Sequence, residues 1–351
     1  MLFRRMLPVG SLTLTLILAL SASVLADDVI LIPGATYKAA GGRVRGEVQS
    51  ESPTEVKVKL GAKTESVPTD QIAEISYAGQ PASMALAESK ESAGALAEAA
   101  DLYKKAAGEA GGKPFVQQAA LFGQAKAVGD LALADPNKAS EAINLLEAFV
   151  KAYPTGRHIA SALEVLARIQ LQKGDFAQAE KTIAELAKQP ASGDRAAVLR
   201  AKVFAKRGDH AKAITELDGL IKGAPDGSVR QREARLAKAE SLVGLKKYAE
   251  AEADVRAVIK STPPEDIQAQ AAAYNTLGDC LRAAGKPKDA LYAYLYTDIV
   301  YYKDKEQHPR ALAQISQLWR ELKRDDRADE YLDKLKQEYP QSPYLTSRSG
   351  R

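Results

Sequence analysis

Cysteine and histidine are scarce in this sequence. Of its 351 residues, one is a cysteine, Cys280, and three are histidines: His158, His210 and His308. A lone cysteine cannot form an internal disulfide, and the scattered histidines do not have the spacing of a metal site. We therefore expect no disulfide, no metal and no cofactor, and we expect Cys280 to pack inside a helix as a small apolar group.

The sequence also has little excess of charge of either sign. The 49 Lys and Arg residues almost balance the 45 Asp and Glu residues, for a formal net charge of +4. Such a small excess gives no basic field that would steer the protein to nucleic acid. The sequence also lacks a Gly-rich phosphate loop, a nucleophile elbow and a paired His-Glu motif. We expect a non-enzymatic protein, although an active site assembled from dispersed residues stays open as an alternative.

Long apolar runs are missing except at the N-terminus. Arg4 and Arg5 precede an apolar run from Leu12 to Leu20, and small residues end the segment at Ala26. This pattern predicts a signal peptide over residues 1–26, cut after Ala26. The alternative, an uncleaved anchor, is disfavoured because a bilayer span needs about 20 apolar residues. We expect a periplasmic or secreted protein with no transmembrane anchor after cleavage.

Period-two alternation dominates residues 28–80. Residues Glu55 to Leu60 alternate between apolar and charged side chains, and Pro68 to Asp70 has the composition of a tight corner. Four short strands are predicted directly, at residues 43–49, 55–60, 65–67 and 75–77. With about five strands in so short a stretch, we expect a small β-barrel, because closure removes sheet edges.

This stretch resembles SH3-like and Sm-like barrels. The resemblance rests on Gly46-Glu47-Val48, Val56-Lys57-Val58, Val67-Pro68 and Ile72. Some Sm-like proteins bind RNA, so binding of nucleic acid or another polyanion is a second hypothesis. It is disfavoured because acidic residues outnumber basic ones here and the only aromatic residues are Tyr37 and Tyr77. A phosphate-binding groove needs the opposite balance and rings for stacking.

A helical period begins at Ser83 and brings a repeated motif. Each copy has Ala at position i and apolar or small residues at i+4 and i+7, which share one helical face. The copies are Ala142-Leu146-Phe149, Ala179-Ile183-Leu186, Ala213-Leu217-Leu220, Ala251-Val255-Val258, Ala290-Tyr294-Thr297 and Ala328-Leu332-Leu335, with Ala99-Tyr103-Ala106 as a weaker first copy. Their spacing of 34 to 43 residues predicts stacked pairs of helices.

Residues that end helices recur at fixed distances from each motif Ala. A glycine five residues before it predicts the end of the preceding helix, and a proline twelve residues after it predicts the end of its own helix. The glycines are Gly94, Gly174, Gly208 and Gly285, and the prolines are Pro154, Pro225, Pro263 and Pro340. Small residues twelve positions before the motif Ala mark the helix–helix contact: Ala167, Ala201, Ala239 and Gly278.

These residues resemble the tetratricopeptide repeat (TPR) family. The best copy runs Tyr274, Leu277, Gly278, Leu281, Gly285, Ala290, Tyr294, and the last runs Leu312, Ile315, Trp319, Ala328, Leu332, Pro340. The resemblance implies a mainly α fold, a right-handed α-solenoid of about seven helical hairpins over residues 83–345. We expect the small β-barrel at 28–80 to precede it and a disordered tail at 346–351 to follow. Some units also resemble repeats of exported bacterial envelope proteins.

Some positions depart from the family pattern. Arg200, Arg235 and Lys238 occupy sites that are usually apolar, and Lys246 and Lys323 replace the turn glycine. These departures leave open whether the solenoid is regular.

The resemblance implies protein binding, because the family usually binds proteins and the first helix of each pair lines a concave groove. By the family's spacing, the groove-facing candidates are Glu164, Arg168, Lys202, Glu240, Asn275, Asp279, Arg282, Gln317 and Arg320. The alternative is that they are merely the solvated sides of helices. We expect a protein or peptide partner in the cell envelope.

A cluster of tyrosines is the most unusual local feature. Tyr292, Tyr294, Tyr296, Tyr301 and Tyr302 fall within eleven residues, and on a helix Tyr294 points away from Tyr292 and Tyr296. One interpretation is that neighbouring hairpins bury them. The other is an exposed aromatic contact surface formed by Tyr292, Tyr296, Tyr301 and Tyr302.

Overall fold

The computed structural model describes residues 26–340 and 342–345. The predicted signal peptide, apart from Ala26, and the predicted tail at 346–351 lie outside these residues. Within them, none of the helices is both long enough and apolar enough to cross a bilayer.

The N-terminal part is one antiparallel sheet. Its strands are β1 (Asp27–Leu31), β2 (Arg43–Glu51), β3 (Glu55–Leu60), β4 (Lys63–Pro68) and β5 (Ile72–Ser76). Their order in the sheet is β4-β3-β2-β1-β5. The predicted alternation is confirmed, because Val56, Val58 and Val67 are fully buried on one face. The predicted corner is a 3₁₀ turn, Thr69–Gln71.

Strand β1 was not among the strands predicted individually. It lies between β2 and β5, and its first residue holds two distant segments together. The backbone N–H groups of Val48 and Ala78 each donate to the carboxylate of Asp27 at 2.7 Å. Only Val29 and Leu31 in this strand are buried, and so short an alternation gives little signal in the sequence.

The remainder is helical. The helices are α1 (Ala82–Ser92), α2 (Leu96–Gly108), α3 (Pro114–Ala134), α4 (Ala139–Ala152), α5 (Ile159–Lys173), α6 (Phe176–Ala187), α7 (Gly193–Lys206), α8 (His210–Gly223), α9 (Val229–Gly244), α10 (Tyr248–Ser261), α11 (Ile267–Ala283), α12 (Pro287–Ile299), α13 (Gln307–Glu321) and α14 (Asp325–Glu338). Consecutive helices pack as seven hairpins, and each hairpin packs on the next. The structure therefore confirms an α-solenoid of about seven hairpins preceded by a small antiparallel sheet.

The glycines and prolines that were predicted to end helices lie at the observed helix ends. Gly94, Gly174, Gly208 and Gly285 all have φ between 74° and 85°, the left-handed conformation that ends a helix. The four prolines each lie two residues beyond the end of α4, α8, α10 or α14. The motif Ala residues are fully buried in every copy.

Two further turns between paired helices adopt the left-handed conformation without glycine. Lys246 has φ of 60° and Lys323 has φ of 62°, a region that costs an L-residue free energy because Cβ crowds the backbone. We expect Lys246→Gly and Lys323→Gly each to stabilise the protein by about 0.5–1 kcal/mol, even after the entropic cost of glycine. Urea unfolding midpoints measure this effect.

The matched control is Lys181→Gly, in the middle of α6 at an exposed position. Because residue 181 lies within a regular helix, glycine relieves no backbone strain there. The substitution should lower the free energy of unfolding by about 1 kcal/mol. Equal destabilisation by Lys246→Gly and Lys181→Gly would contradict the strain at the turn.

The charged residues at usually apolar sites have partners on adjacent helices. Arg200 pairs with Glu216 at 2.8 Å, and Arg235 pairs with Asp254 at 2.9 Å. Lys238 lies 2.8 Å from a carboxylate of α8, Asp218. Ion pairs thus replace apolar contacts between α7 and α8 and between α9 and its two neighbours.

The sheet packs against the first hairpins. Glu51 of β2 pairs with Arg157, which precedes α5, at 3.3 Å, and its side chain is 1% exposed. The Tyr77 hydroxyl donates to the same carboxylate, and burial raises the pKa of Glu51 although Arg157 opposes that shift. One apolar cluster runs from the strands into α5, so the sheet and the first hairpins share a core.

Candidate functional site

The first helices of the later hairpins line a concave groove. It has a volume of about 590 Å³ and is bordered by α5, α7, α9, α11 and α13. Its apolar part includes Val198, Leu236 and Ala272, together with Val229, which is 60% exposed. The groove therefore offers apolar contact area that the array itself leaves uncovered.

Ion pairs between neighbouring first helices hold part of the groove in place. Glu164 of α5 pairs with Arg195 of α7 at 3.1 Å, and Arg232 of α9 pairs with Asp266 before α11 at 3.0 Å. The side chain of Arg232 is 10% exposed. These four charges are committed to the array itself.

Five other groove charges have no ion pair among the residues that the structure describes. They are Arg168 of α5, Lys202 of α7, Glu233 and Glu240 of α9, and Glu306 just before α13. Burial, followed by the charge of Glu164, raises the pKa of Glu233, while Lys202 and two arginines oppose this shift. Charges of both signs thus surround the apolar part and are available to a ligand.

Of the candidates chosen by the family's spacing, Glu164, Arg168, Lys202 and Glu240 border the groove. Asn275 lies elsewhere: it is fully buried, and its amide donates to the carbonyl and the side chain of Gln307 at 2.9 and 3.1 Å. A side chain in that position cannot reach a ligand, so the structure corrects Asn275 from a groove contact to a residue that joins α11 to α13.

Asp279 is likewise engaged. It accepts a hydrogen bond from the Tyr294 hydroxyl at 2.6 Å and pairs with Arg310. Burial raises the pKa of Asp279, and the charge of Arg310 opposes that rise. Asp279 lies beside the groove residue Arg310 and orients it.

Arg282, Gln317 and Arg320 connect the last helices to one another. Arg282 of α11 donates to Gln317 of α13 at 3.2 Å and pairs with Glu321. Arg320 of α13 pairs with Asp329 of α14 at 2.7 Å. None of the three borders the groove described above.

The sequence interpretation missed Arg195, Arg232 and Glu233. A signal was present, because Val229, Arg232, Leu236 and Glu240 follow one helical stripe of α9, and all four border the groove. The candidates were instead chosen by the family's spacing, which does not account for how the groove shifts toward the beginnings of the first helices.

The chain beyond α14 ends in a short segment that also touches the second hairpin. We call residues Ser342–Leu345 the C-terminal segment; it contains a 3₁₀ turn, Pro343–Leu345, and contacts α3, α13 and α14. Burial raises the pKa of Tyr344, and the charges of Arg310, Glu306, Asp279 and Arg168 act on its hydroxyl. Three of these four residues border the groove.

A second surface lies on α12 and just after it. Tyr292, Tyr296, Ile299, Val300 and Tyr302, which we call the aromatic surface, are between 49% and 68% exposed. Within the tyrosine cluster, Tyr292, Tyr296 and Tyr302 are exposed, whereas Tyr294 and Tyr301 are buried.

The buried members support the exposed ones. Tyr294 is fully buried and Tyr301 is 8% exposed, which corrects Tyr301 from an exposed contact residue to a supporting one. The ring of Tyr274 stacks on Tyr296 at 4.6 Å and on Tyr301 at 5.7 Å. The exposed ring of Tyr296 therefore rests on Tyr274, which also stacks on the buried Tyr301.

The aromatic surface is not required by the repeat. Ile299 lies nine residues after its motif Ala, and four other second helices have lysine at that position: Lys151, Lys188, Lys222 and Lys260. An exposed isoleucine in place of lysine adds apolar surface without a packing role, as expected at a contact site.

The described residues offer little support for a metal site, a reactive thiol or a polyanion-binding surface. No group of three or more His, Cys, Asp or Glu side chains there could hold a metal ion. Cys280 is buried, and burial raises the pKa of its thiol to about 12, which disfavours the reactive thiolate. On the sheet, Arg43, Lys57, Lys59 and Lys63 all lie within ion-pair distance of a carboxylate.

Several solved structures are similar to this chain. A tetratricopeptide repeat protein from Parabacteroides merdae shares 17% identity, with a TM-score of 0.46 over 73% of this chain and 92% of that one. A Rap protein complexed with competence and sporulation factor shares 14% identity, with a TM-score of 0.48 over 75% and 77%. The type IV pilus biogenesis factor PilW shares 17% identity, with a TM-score of 0.41 over 64% and 97%. None of the curated proteins compared with the chain matches it.

Family models match the helical part directly. One model described as tetratricopeptide repeat matches residues 131–193, 164–228 and 236–298, and a second with the same description matches residues 310–342. Together the matches cover more than half of the chain and coincide with the later hairpins. The chain therefore belongs to the tetratricopeptide repeat family.

Proposed function

We propose that this protein is an exported, non-enzymatic scaffold that binds a segment of a partner protein in the concave groove. The observation that carries the proposal is the set of unpaired groove charges around exposed apolar side chains. Arg168 and Lys202 are available to carboxylates of a partner, and Glu233 and Glu240 are available to its cations. Polypeptide segments present both charges and apolar side chains, and TPR arrays bind such segments in their grooves.

The mixed charge favours polypeptide over nucleic acid. A phosphate backbone gains affinity from an excess of Lys and Arg, and Glu233 and Glu240 would repel it. The paired cations of the sheet offer no excess either. The polyanion alternative predicts that a labelled RNA binds at low salt, and we expect no binding in a titration.

We further propose that the protein acts in the cell envelope and that the sheet, residues 28–80, is an SH3-like barrel preceding the repeats at 83–345. The N-terminal apolar run after Arg4 and Arg5 supports export. Strand β2 pairs with both β1 and β3, and its register shifts between Val48 and Ser50. A bulge of this kind bends a sheet and supports closure.

The test uses the chain from Asp27 onward and peptides selected on it from a random displayed library. Fluorescence anisotropy gives the Kd of each selected peptide. We expect Arg168→Glu and Lys202→Glu to weaken the binding of acidic peptides at least 10-fold, because each replaces an attraction with a repulsion. Lys181→Glu is the matched control, since it reverses an exposed charge on α6 away from the groove.

Peptides that bind all three variants with the wild-type Kd would place binding outside the groove. Failure to enrich any peptide on the chain from Asp27 would contradict the proposed function itself.

A further inference from the structure

We propose that the ligand of the groove is a partner segment whose charges are separated, with carboxylates in one half and cations in the other. The inference rests on the proposed function of the groove and adds the class of its ligand. The carboxylate half lies against Arg168 and Lys202, on α5 and α7. The cation half lies against Glu233 and Glu240, on α9.

The unpaired charges of the groove change sign once along the array. The cations Arg168 and Lys202 lie on α5 and α7, which form one end of the groove. The carboxylates Glu233 and Glu240 lie on α9, and a third, Glu306, lies just before α13. A ligand that matches these charges needs its own charges in two blocks, because a mixed order would set like charges against each other.

The remaining charges of the groove do not change this order, because each is paired with a neighbour. Glu164 and Arg195 form a pair within the half that carries the unpaired cations. Arg232 and Asp266 form a pair within the other half, and Arg310 pairs with a carboxylate of α11. The unpaired charge is therefore positive over α5 and α7 and negative from α9 onward.

Three of the unpaired charges form one row across the helices. Arg168, Lys202 and Glu240 each lie eleven residues before the motif Ala of their hairpin, and α5, α7 and α9 pack side by side in that order. Packed helices are separated by about 8–10 Å. An extended chain advances about 3.3 Å per residue, so an extended ligand that follows the row carries its charges about three positions apart. Their order is two carboxylates and then a cation.

The row lies beside the apolar part of the groove. Val198 lies one helical turn before Lys202, and Leu236 lies one turn before Glu240, so each pair shares one face of its helix. All four residues border the groove. Because a concave surface focuses the field of unpaired charges, a ligand with matching blocks gains electrostatic attraction together with apolar burial.

The test begins with the peptides that the displayed library yields on the chain from Asp27. We expect the Asp and Glu residues of these peptides to be concentrated in one half and the Lys and Arg residues in the other. Either block can come first in the sequence, because a segment can lie in the groove in either chain direction. Selected peptides whose charges are as mixed as those of the unselected library would overturn the proposal.

A pair of synthetic peptides measures the effect on the unaltered protein. One is the selected peptide with the lowest Kd, and the other has the same composition with its acidic and basic residues interleaved. Fluorescence anisotropy should give a Kd about 10-fold higher, or more, for the interleaved peptide, because like charges then meet in each half of the groove. Equal Kd values would overturn the proposal, and this comparison does not depend on the folding of any variant.

Charge reversal in the protein assigns each block to its half of the groove. Lys202→Glu should weaken binding of the selected peptide about 10-fold or more, and Lys at one position of the acidic block should recover most of the loss. Glu240→Lys should have the same effect, and Glu at one position of the basic block should recover it. Absence of recovery in both cases would overturn the assignment of the blocks.

The matched controls reverse exposed charges away from the groove. They are Lys181→Glu on α6 and Glu147→Lys on α4, both on second helices of their hairpins. Neither residue borders the groove, so both variants should bind the selected peptide with the wild-type Kd. Losses in the controls equal to those in Lys202→Glu and Glu240→Lys would mean that net charge alone governs binding, which would overturn the proposal.

The two proposals fail in different ways. If the selected peptides depend on Arg168 and Lys202 but interleaving their charges leaves the Kd unchanged, the groove function stands and the separated charges are wrong. If the library yields no peptide, both proposals are wrong.

Discussion

Replacing Gly278 with alanine should destabilise the last hairpins by about 2–3 kcal/mol, the upper part of the range for overpacked cores. A Cβ atom at Gly278 would lie 2.5 Å from Cζ of Tyr294 and 2.7 Å from both Cε atoms. The Tyr294 ring is fully buried and its hydroxyl is bonded to Asp279, so it has no room to retreat. The midpoint of urea unfolding, followed by circular dichroism, measures the loss.

The repeat itself supplies the compensating change. At the position of Gly278 the other hairpins have alanine, namely Ala167, Ala201 and Ala239, and at the position of Tyr294 they have Ile183, Leu217 and Val255. A glycine facing a tyrosine thus replaces an alanine facing an aliphatic residue. Tyr294→Leu alone should cost about 2–4 kcal/mol through the cavity it leaves and the lost bond to Asp279.

Combined with Gly278→Ala, the same leucine should recover most of the loss caused by the alanine. The double-mutant cycle would then show a coupling of about 1–2 kcal/mol. Additive losses would mean that the two residues do not share one space.

The same comparison shows why the helical part could be predicted so far from the sequence. Each hairpin meets the next through the same few positions, so the motif Ala, the turn glycines and the closing prolines recur at fixed offsets. Local periodicity is a strong signal because every copy repeats it. The turn at Lys246 follows the pattern even without glycine, since the packing on both sides determines the turn.

The site was harder to predict, for a physical reason. Asp279 and Gln317 lie eleven residues before their motif Ala, the offset at which Arg168 and Lys202 border the groove. Yet Asp279 pairs with Arg310, Gln317 accepts a hydrogen bond from Arg282, and neither residue borders the groove. The C-terminal segment reaches α3 through contacts between residues far apart in sequence, and such contacts leave no periodic trace. The exposure of a side chain and the contacts between distant hairpins depend on how the array curves. The pattern of residues along one face of one helix does not encode that curvature.

Asp298→Asn should be the most damaging conservative change in the last hairpins, with a cost of about 2–4 kcal/mol. The Asp298 side chain is 5% exposed, and its Oδ1 atom lies 2.9 Å from Nε2 of His308 and 2.6 Å from Nζ of Lys334. Asparagine keeps one oxygen acceptor but removes the negative charge that lies against Nζ of Lys334 and Nε2 of His308. Asp329→Asn is the matched control: its pair with Arg320 is exposed and should contribute less than about 1 kcal/mol.

The pH dependence separates charge from shape. Burial alone would raise the pKa of Asp298, but hydrogen bonds from His308 and Lys334 bring it below its ordinary value. A carboxyl whose pKa is lower in the folded state stabilises that state fully above its unfolded pKa, about 3.9, and the contribution is lost as pH falls through the folded pKa. The difference in unfolding free energy between the wild type and Asp298→Asn should therefore be largest near pH 7 and shrink below about pH 4. A difference that stays constant down to about pH 3 would show that the charge of Asp298 contributes nothing.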